Sequence, residues 1–140
     1  MASNKIECRK AIPVIGMVSS GKSTFLNSLL GIDLLETKDN ITTKFVCIIR
    51  YNPKLKIPKF YHIILKLNKT INDYDYFKDG KEAEGPENIK KMISSINNIN
   101  LNKSEQKYDN IFYVLETDIR NIENKKFLSL YDFYDIPRFK

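Results

Sequence analysis

The chain has the length of one ordinary domain and the composition of a globular protein. Its 140 residues are 42% hydrophobic and 29% charged, which excludes collagen-like, mucin-like and wholly disordered chains. The net charge of +6 comes from 19 scattered Lys and only 4 Arg, set against 17 acidic residues, so we expect a solvated surface and no nucleic-acid partner.

The first predicted elements are a strand, a helix and a loop. Residues 11–15 (AIPVI) form a short apolar run, which is typical of a strand buried on both faces. A helix is then predicted to end before Gly31, a suitable residue after a helix C-terminus. The apolar residues at helical spacing within it are Phe25, Leu29 and Leu30. Residues 32–43 are polar and broken, which predicts a loop.

The middle of the sequence predicts a β-hairpin followed by a loop. Residues 45–51 (FVCIIRY) and 60–67 (FYHIILKL) are strand-like, and Asn52-Pro53 separates them. We therefore expect them to be the two strands of one hairpin. Residues 72–84 are charged and rich in turn formers, which predicts a loop.

A second helix and two more strands are predicted in the C-terminal half. Gly85-Pro86 is a helix start, and one apolar face follows at helical spacing: Ile89, Met92, Ile93 and Ile96. After an Asn-rich loop, residues 111–115 and 127–131 read as strands. The order of elements indicates an α/β fold.

The strongest chemical signal lies between the first predicted strand and the first helix. Residues 16–23 (GMVSSGKS) match the phosphate-binding loop G-x-x-x-x-G-K-[ST], and two of only five glycines occupy its glycine positions. Glycines let backbone amides surround an anion, and the helix N-terminus adds partial positive charge. Lys22 is expected to reach the outer phosphates of a nucleotide, and the Ser23 hydroxyl is an expected Mg²⁺ ligand. The predicted binding residues are Gly16, Ser19, Ser20, Gly21, Lys22, Ser23 and Thr24.

Around this loop the sequence resembles the dynamin superfamily of large GTPases. Residues 19–31 (SSGKSTFLNSLLG) are similar to that family's S-[SA]-G-K-S-[ST]-x-[LI]-[LN]-x-[LF]-[LV]-G. Leu34-Leu35 and Thr42-Thr43 resemble its first switch segment, with Thr43 lying 21 residues after Lys22. The resemblance implies a three-layer P-loop GTPase fold with GTP and Mg²⁺ as cofactors.

The resemblance also implies catalytic roles for three residues. Ser19 and Lys22 would stabilise phosphate charge, and Thr43 would complete the Mg²⁺ shell and hold the attacking water. The alternative for a Thr-Thr pair in a loop is simple turn or strand-entry chemistry. At position 18, where animal dynamins have a water-orienting glutamine, this chain has Val18.

Residues 127–137 (FLSLYDFYDIP) resemble the strand that leads into the family's D-x-P-G motif, whose aspartate contacts Mg²⁺ through water. Asp135 is the better match because Ile-Pro follows it, and Asp132 is the alternative, which otherwise reads as a strand-end residue. Arg138 stands where the family has Gly, and a side chain there would hinder close backbone approach to a phosphate.

The family's guanine-reading motif, [TR]-K-x-D, has no counterpart before Lys140. We therefore expect residues 1–10 to be an N-terminal extension and residues 11–140 to be the N-terminal part of a dynamin-type GTPase domain, incomplete at its C-terminus. Such a chain would bind GTP and, in a complete domain, hydrolyse it. The alternative is a truncated or decayed P-loop protein that acts as a nucleotide-binding or interaction module without hydrolysis.

The resemblance and the composition also lead to expectations about partners and location. The partners would be a guanine nucleotide and a second copy through the GTPase domain, with membrane contact only through regions absent here. A charged N-terminus and two cysteines favour a cytoplasmic location. The resemblance to the dynamin superfamily also allows association with a membrane. Few strands and helices would leave an apolar edge near residues 111–115 and 127–131, so we expect self-association.

Overall fold

The computed structural model describes residues 5–7, 9–15, 21–31, 33–35, 46–67, 74–98, 111–119 and 126–136. The strands are β1 (Lys5–Ile6), β2 (Lys10–Val14), β3 (Cys47–Tyr51), β4 (Lys59–Leu67), β5 (Tyr74–Glu84), β6 (Ile111–Thr117) and β7 (Tyr131–Asp135). The helices are α1 (Lys22–Leu30) and α2 (Pro86–Asn98), and a short 3-10 helix covers Lys126–Ser129.

The strands form one mixed sheet in the order β1-β5-β4-β6-β3-β7-β2. β2 runs parallel to β7 and β3 runs parallel to β6, whereas the other neighbouring pairs are antiparallel. Parallel neighbours need a crossover connection, so strands that are distant in the sequence lie side by side. The predicted α/β fold is confirmed.

Both described helices pack on the same face of the sheet. α1 contributes Leu26 and Leu30 to one buried cluster and α2 contributes Ile89 and Ile93, all of them packed with side chains from the central strands. The opposite face buries a second cluster: Ile48, Tyr61, Ile63 and Val114. Within the described ranges no helix covers that second face, so they show two of the three expected layers.

The second helix is confirmed with its predicted start and its predicted apolar face. Gly85 has a left-handed φ of 86° and its carbonyl accepts the first helical hydrogen bond, from Ile89. Pro86 then occupies the first helical position, where its missing N–H costs nothing. The four predicted apolar residues all contact the core.

Two of the middle predictions are wrong. The strands predicted at residues 45–51 and 60–67 exist as β3 and β4, but β6 lies between them, so they form no hairpin. The loop predicted at residues 72–84 contains the 11-residue strand β5. β5 pairs along its length with β4 and also with β1, and this backbone pairing overrides the weak strand preference of its charged residues.

The C-terminal strand predictions are partly confirmed. β6 covers the predicted residues 111–115. The segment predicted as a strand at residues 127–131 is mostly the 3-10 helix, closed by a hydrogen bond from the Leu130 N–H to the Phe127 carbonyl. The strand itself, β7, begins at Tyr131 because its partner β2 begins opposite, at Lys10.

The predicted unpartnered edge is in a different place. β6 and β7 are both paired on two sides, whereas β2 lies at one end of the sheet, so the edge prediction at residues 111–115 and 127–131 is wrong. The strand predicted at residues 11–15 is confirmed as β2, but it is not buried on both faces, since Ala11 and Pro13 are exposed. Pro13 suits an edge because it lacks an N–H to donate.

None of the helices in the described part of the chain is both long and apolar enough to cross a bilayer.

Candidate functional site

The predicted phosphate-binding segment leads into the N-terminus of α1. Gly21 is the residue that precedes the helix, with a left-handed φ of 85° and ψ of 14°. A Cβ added there would meet no atom within 4 Å, so the backbone conformation and not space requires glycine. Gly21 also has no side chain to cap the first-turn amides, and such amides are the usual donors to an anion at a helix N-terminus.

The parallel pairing of β2 and β7 brings Lys22 and Asp135 together. Val14 and Asp135 are in register, so both strands end at the same edge of the sheet, where α1 begins. The Lys22 Nζ lies 2.7 Å from the Asp135 Oδ1. The same ammonium donates a hydrogen bond of 2.8 Å to the Ile136 carbonyl. The two residues predicted to serve phosphate and metal thus form an ion pair.

Asp135 is a buried carboxylate with spare acceptor capacity. Its side chain is 0% exposed, and neither carboxylate oxygen accepts a well-aligned hydrogen bond from the described residues. The Lys22 ammonium, 2.7 Å from Oδ1, acts on the carboxylate through a poorly aligned hydrogen bond and through its charge. Burial raises the pKa of the Asp135 carboxyl, and the Lys22 ammonium offsets part of that rise.

Cys47 adds no charge to this site. It is in register with Asp135 on the neighbouring strand and is completely buried. Burial raises the pKa of the Cys47 thiol well above its ordinary value, and the negative charge of Asp135 raises it further. The Cys47 thiol is therefore uncharged beside the Asp135 carboxylate.

Asp132 lies on the other face of the sheet. Alternate residues of a strand point to opposite faces, so Asp132 and Asp135, three positions apart on β7, point away from each other. Arg50 donates to both Asp132 oxygens, at 3.0 and 2.8 Å, and also to the Glu7 carbonyl. Burial alone would lower the pKa of Arg50, but the hydrogen bonds and charge of Asp132 raise it overall. Asp132 belongs to a structural ion pair and does not contact Lys22.

The remaining predicted site residues divide into two groups. Ser23 is half-buried in the first turn of α1, and Thr24 beside it is exposed. The others lie outside the described residues: Gly16, Ser19, Ser20 and Thr43. Val18 and Arg138, where the sequence departs from the family pattern, also lie outside them. The structure thus brings Gly21, Lys22 and Ser23 to the edge where Asp135 ends β7.

One buried polar residue of α1 was missed by the sequence reasoning. The Asn27 side chain is 4% exposed and makes three hydrogen bonds with the backbone of Leu34 and Leu35. Its signal in the sequence is an amide side chain inside an apolar helical pattern, where an unpartnered polar group would be costly.

The raised pKa of Asp135 makes stability depend on pH. The pKa of Asp135 in the folded chain lies above the unfolded value near 3.8. At pH values between the two, the folded chain therefore keeps a proton that the unfolded chain has released. Asp135 is therefore expected to contribute a fall in the free energy of unfolding of the nucleotide-free chain as pH rises from below 3.8 through the raised value. Urea unfolding across that range should show a smaller fall in Asp135→Asn than in the wild type, and parallel curves would contradict this expectation.

Two comparisons with known proteins bear on the identity of the chain. The model of the Dynamin family matches residues 12–132, a span that includes the loop motif and Thr43 but ends before Asp135. No curated protein matches the chain. The match covers most of the sequence. The chain belongs to the dynamin family and is a dynamin-like GTP-binding domain.

Proposed function

We propose that the chain binds GTP together with Mg²⁺ where α1 begins and β7 ends and hydrolyses it to GDP and phosphate. One observation supports this most strongly: the ion pair between Lys22 at the start of α1 and the buried Asp135 at the end of β7. Lys22 provides a cation for phosphate, and Asp135 next to it provides an anion for a metal ion. Both lie at the N-terminus of a helix, where anions bind readily.

Lys22 is held ready for an anion. Its ammonium has three donors; one is used by the Ile136 carbonyl and a second faces Asp135, so one remains for a phosphate oxygen. Partial burial lowers the local dielectric and strengthens the attraction for the β- and γ-phosphates. Ser19 would stabilise phosphate charge from the preceding loop, by resemblance to the family.

The residues at this edge also fit Mg²⁺. A buried carboxylate without aligned hydrogen bonds suits a hard cation or a water bound to one. Asp135 would hold it together with the hydroxyls of Ser23 and Thr43. Bound there, Mg²⁺ would neutralise charge on the β- and γ-phosphates. Thr43 would also place the attacking water.

The second candidate function is nucleotide binding without hydrolysis, as an interaction module. Arg138 supports it, because the family has Gly at that place and the Gly amide approaches the γ-phosphate. In both candidate functions Lys22 binds phosphate. They differ in whether the chain responds to the γ-phosphate.

Turnover by the wild-type chain separates the two functions, and replacing Thr43 with Ala tests the role of Thr43 in that turnover. We expect GDP affinity to stay within about threefold, while turnover falls by about 100-fold, since the hydroxyl acts only around the γ-phosphate and its water. Calorimetry and phosphate release measure the two effects. Ser95→Ala, on the exposed side of α2, is the matched loss of a hydroxyl and should change neither. An equal loss of GDP binding in Thr43→Ala would show a structural residue instead.

A further inference from the structure

The sequence around β7 contains the same pattern twice, three positions apart. Residues 131–135 (YDFYD) consist of a large side chain, a polar one, a large one, Tyr and Asp, and residues 128–132 (LSLYD) repeat this order. A strand built from either copy would present large side chains and a final aspartate at the same places along its neighbours. The sequence of the strand alone therefore permits two registers, which end in Asp135 or in Asp132.

The two registers differ in charge at one place along β3. In the observed antiparallel pairing, Cys47 lies opposite Asp135. Three positions further along the same pairing, Arg50 meets Asp132. A shift of β7 by three residues would exchange Asp135 for Asp132 beside Cys47, so this place would keep its carboxylate. Beside Arg50 the same shift would exchange Asp132 for Ser129, and the carboxylate would be lost there.

Arg50 is a buried cation that depends on Asp132. The two side chains are 8% and 1% exposed. The Arg50 Nε donates to one Asp132 oxygen at 3.0 Å, and Nη2 donates to the other at 2.8 Å and also to the Glu7 carbonyl. Removing the carboxylate from such a pair is strongly destabilising, because the remaining charge stays buried without a partner. The hydroxyl of Ser129 offers one neutral acceptor and would not replace it.

A second carboxylate near Arg50 already has other partners. The negative charge of Glu116 contributes to the raised pKa of Arg50. Its two oxygens accept hydrogen bonds of 2.6 Å from the Tyr61 hydroxyl and from the Asn52 side chain. Glu116 would have to give up one of these to pair with Arg50. Arg50 therefore favours the register that supplies Asp132.

We propose that Arg50 is a positioning residue that selects the register of β7. Its ion pair on one face of the strand brings Asp135, and not Asp132, to Lys22 on the other face. The use of Asp135 for Mg²⁺ rests on the proposed function, whereas the choice of register does not. The alternative is that the ion pair only stabilises the fold and that packing sets the register, through Leu128 in the cluster that also contains side chains of α1 and α2.

The first test is Ser129→Asp, which gives the shifted register a carboxylate for Arg50. Ser129 is exposed in the 3-10 helix, so the change leaves the observed packing intact. We expect a second set of NMR signals at about 10% of the total, the upper range for a minor conformer. That set should show proton contacts between Ile49 and Leu130, where the main set shows Ile49 with Phe133. Ser129→Asn, the uncharged match, should show the main set alone. A second set in both variants, or in neither, would overturn the selection by Arg50.

The second test removes Arg50 and asks which aspartate Mg²⁺ needs. The measured quantity is the gain in affinity for a non-hydrolysable GTP analogue that Mg²⁺ produces. With Arg50 present, Asp135→Asn should lower this gain about tenfold. In an Arg50→Met chain the same change should lower it less than about twofold, because Asp132 then takes the place beside Lys22.

Equal tenfold losses in the two backgrounds would overturn the positioning role. Should Arg50→Met fail to fold, the comparison of Ser129→Asp with Ser129→Asn decides alone, since both changes are at an exposed residue. A wild-type chain that binds no nucleotide would overturn the proposed function, whereas the register measured by NMR would still support or contradict the role of Arg50.

Discussion

Replacing Lys22 with Ala is expected to weaken the binding of GTP and of GDP by about 100-fold or more. The ammonium is the one side-chain cation that the structure places at both the start of α1 and the end of β7 within the described part of the chain. Each charge-assisted hydrogen bond to phosphate contributes roughly 1.5–3 kcal/mol, and about 1.4 kcal/mol corresponds to tenfold in affinity. Isothermal titration calorimetry of the purified chain measures the loss.

The control for Lys22→Ala is Lys91→Ala, which removes an equal charge from the exposed side of α2. It should leave nucleotide affinity within about twofold, because an exposed charge far from the ligand is screened by salt. Lys22→Ala that retained wild-type affinity would show that the loop motif does not bind phosphate in this chain.

Replacing Asp135 with Asn is expected to have opposite effects with and without Mg²⁺. Without the metal ion, nucleotide should bind as tightly as in the wild type or more tightly, because Lys22 loses an anionic competitor for its charge. With Mg²⁺ present, the gain in affinity that the wild type shows should fall about tenfold or more, and any turnover should fall by about 100-fold.

The matched control for this variant is Asp132→Asn, on the other face of β7. It removes a carboxylate from the Arg50 ion pair, so it should lower the unfolding midpoint while leaving the Mg²⁺ dependence of nucleotide binding unchanged. A wild-type Mg²⁺ response in Asp135→Asn would assign the metal ion to other ligands.

The helices could be predicted from the sequence because their ends carry local signals. Gly21, Gly31 and Gly85 all adopt left-handed conformations at helix boundaries, with φ of 85°, 82° and 86°. Such positions favour glycine whatever the rest of the fold does. The loop motif and the amphipathic face of α2 could be predicted for the same reason, because each is defined by residues that are close together in the sequence.

Strand order could not be predicted in the same way. The insertion of β6 between β3 and β4, and the pairing of β5 with β4 and β1, join residues that are far apart in the sequence. A short linker such as Asn52-Pro53 favours a hairpin locally, yet pairing partners are decided by burial over the whole sheet. The position of β2 at the edge follows from that order too.

The choice between Asp132 and Asp135 shows where sequence reasoning reached its limit. Both carboxylates lie on one strand, and only the register of β7 with β2 decides which of them faces α1. A signal for Asp132 was nevertheless present. Arg50 stands inside the apolar run 45–51, and a charged residue in a buried strand requires a partner of opposite charge.

A crystal structure of the chain with Mg²⁺ and a non-hydrolysable GTP analogue tests the central claim most directly. We predict that the Lys22 ammonium, now 2.7 Å from Asp135, will contact the β- and γ-phosphates. The Asp135 carboxylate should then face Mg²⁺ directly or through a bound water. A nucleotide bound elsewhere, with Lys22 still paired to Asp135 and the Ile136 carbonyl, would contradict the account.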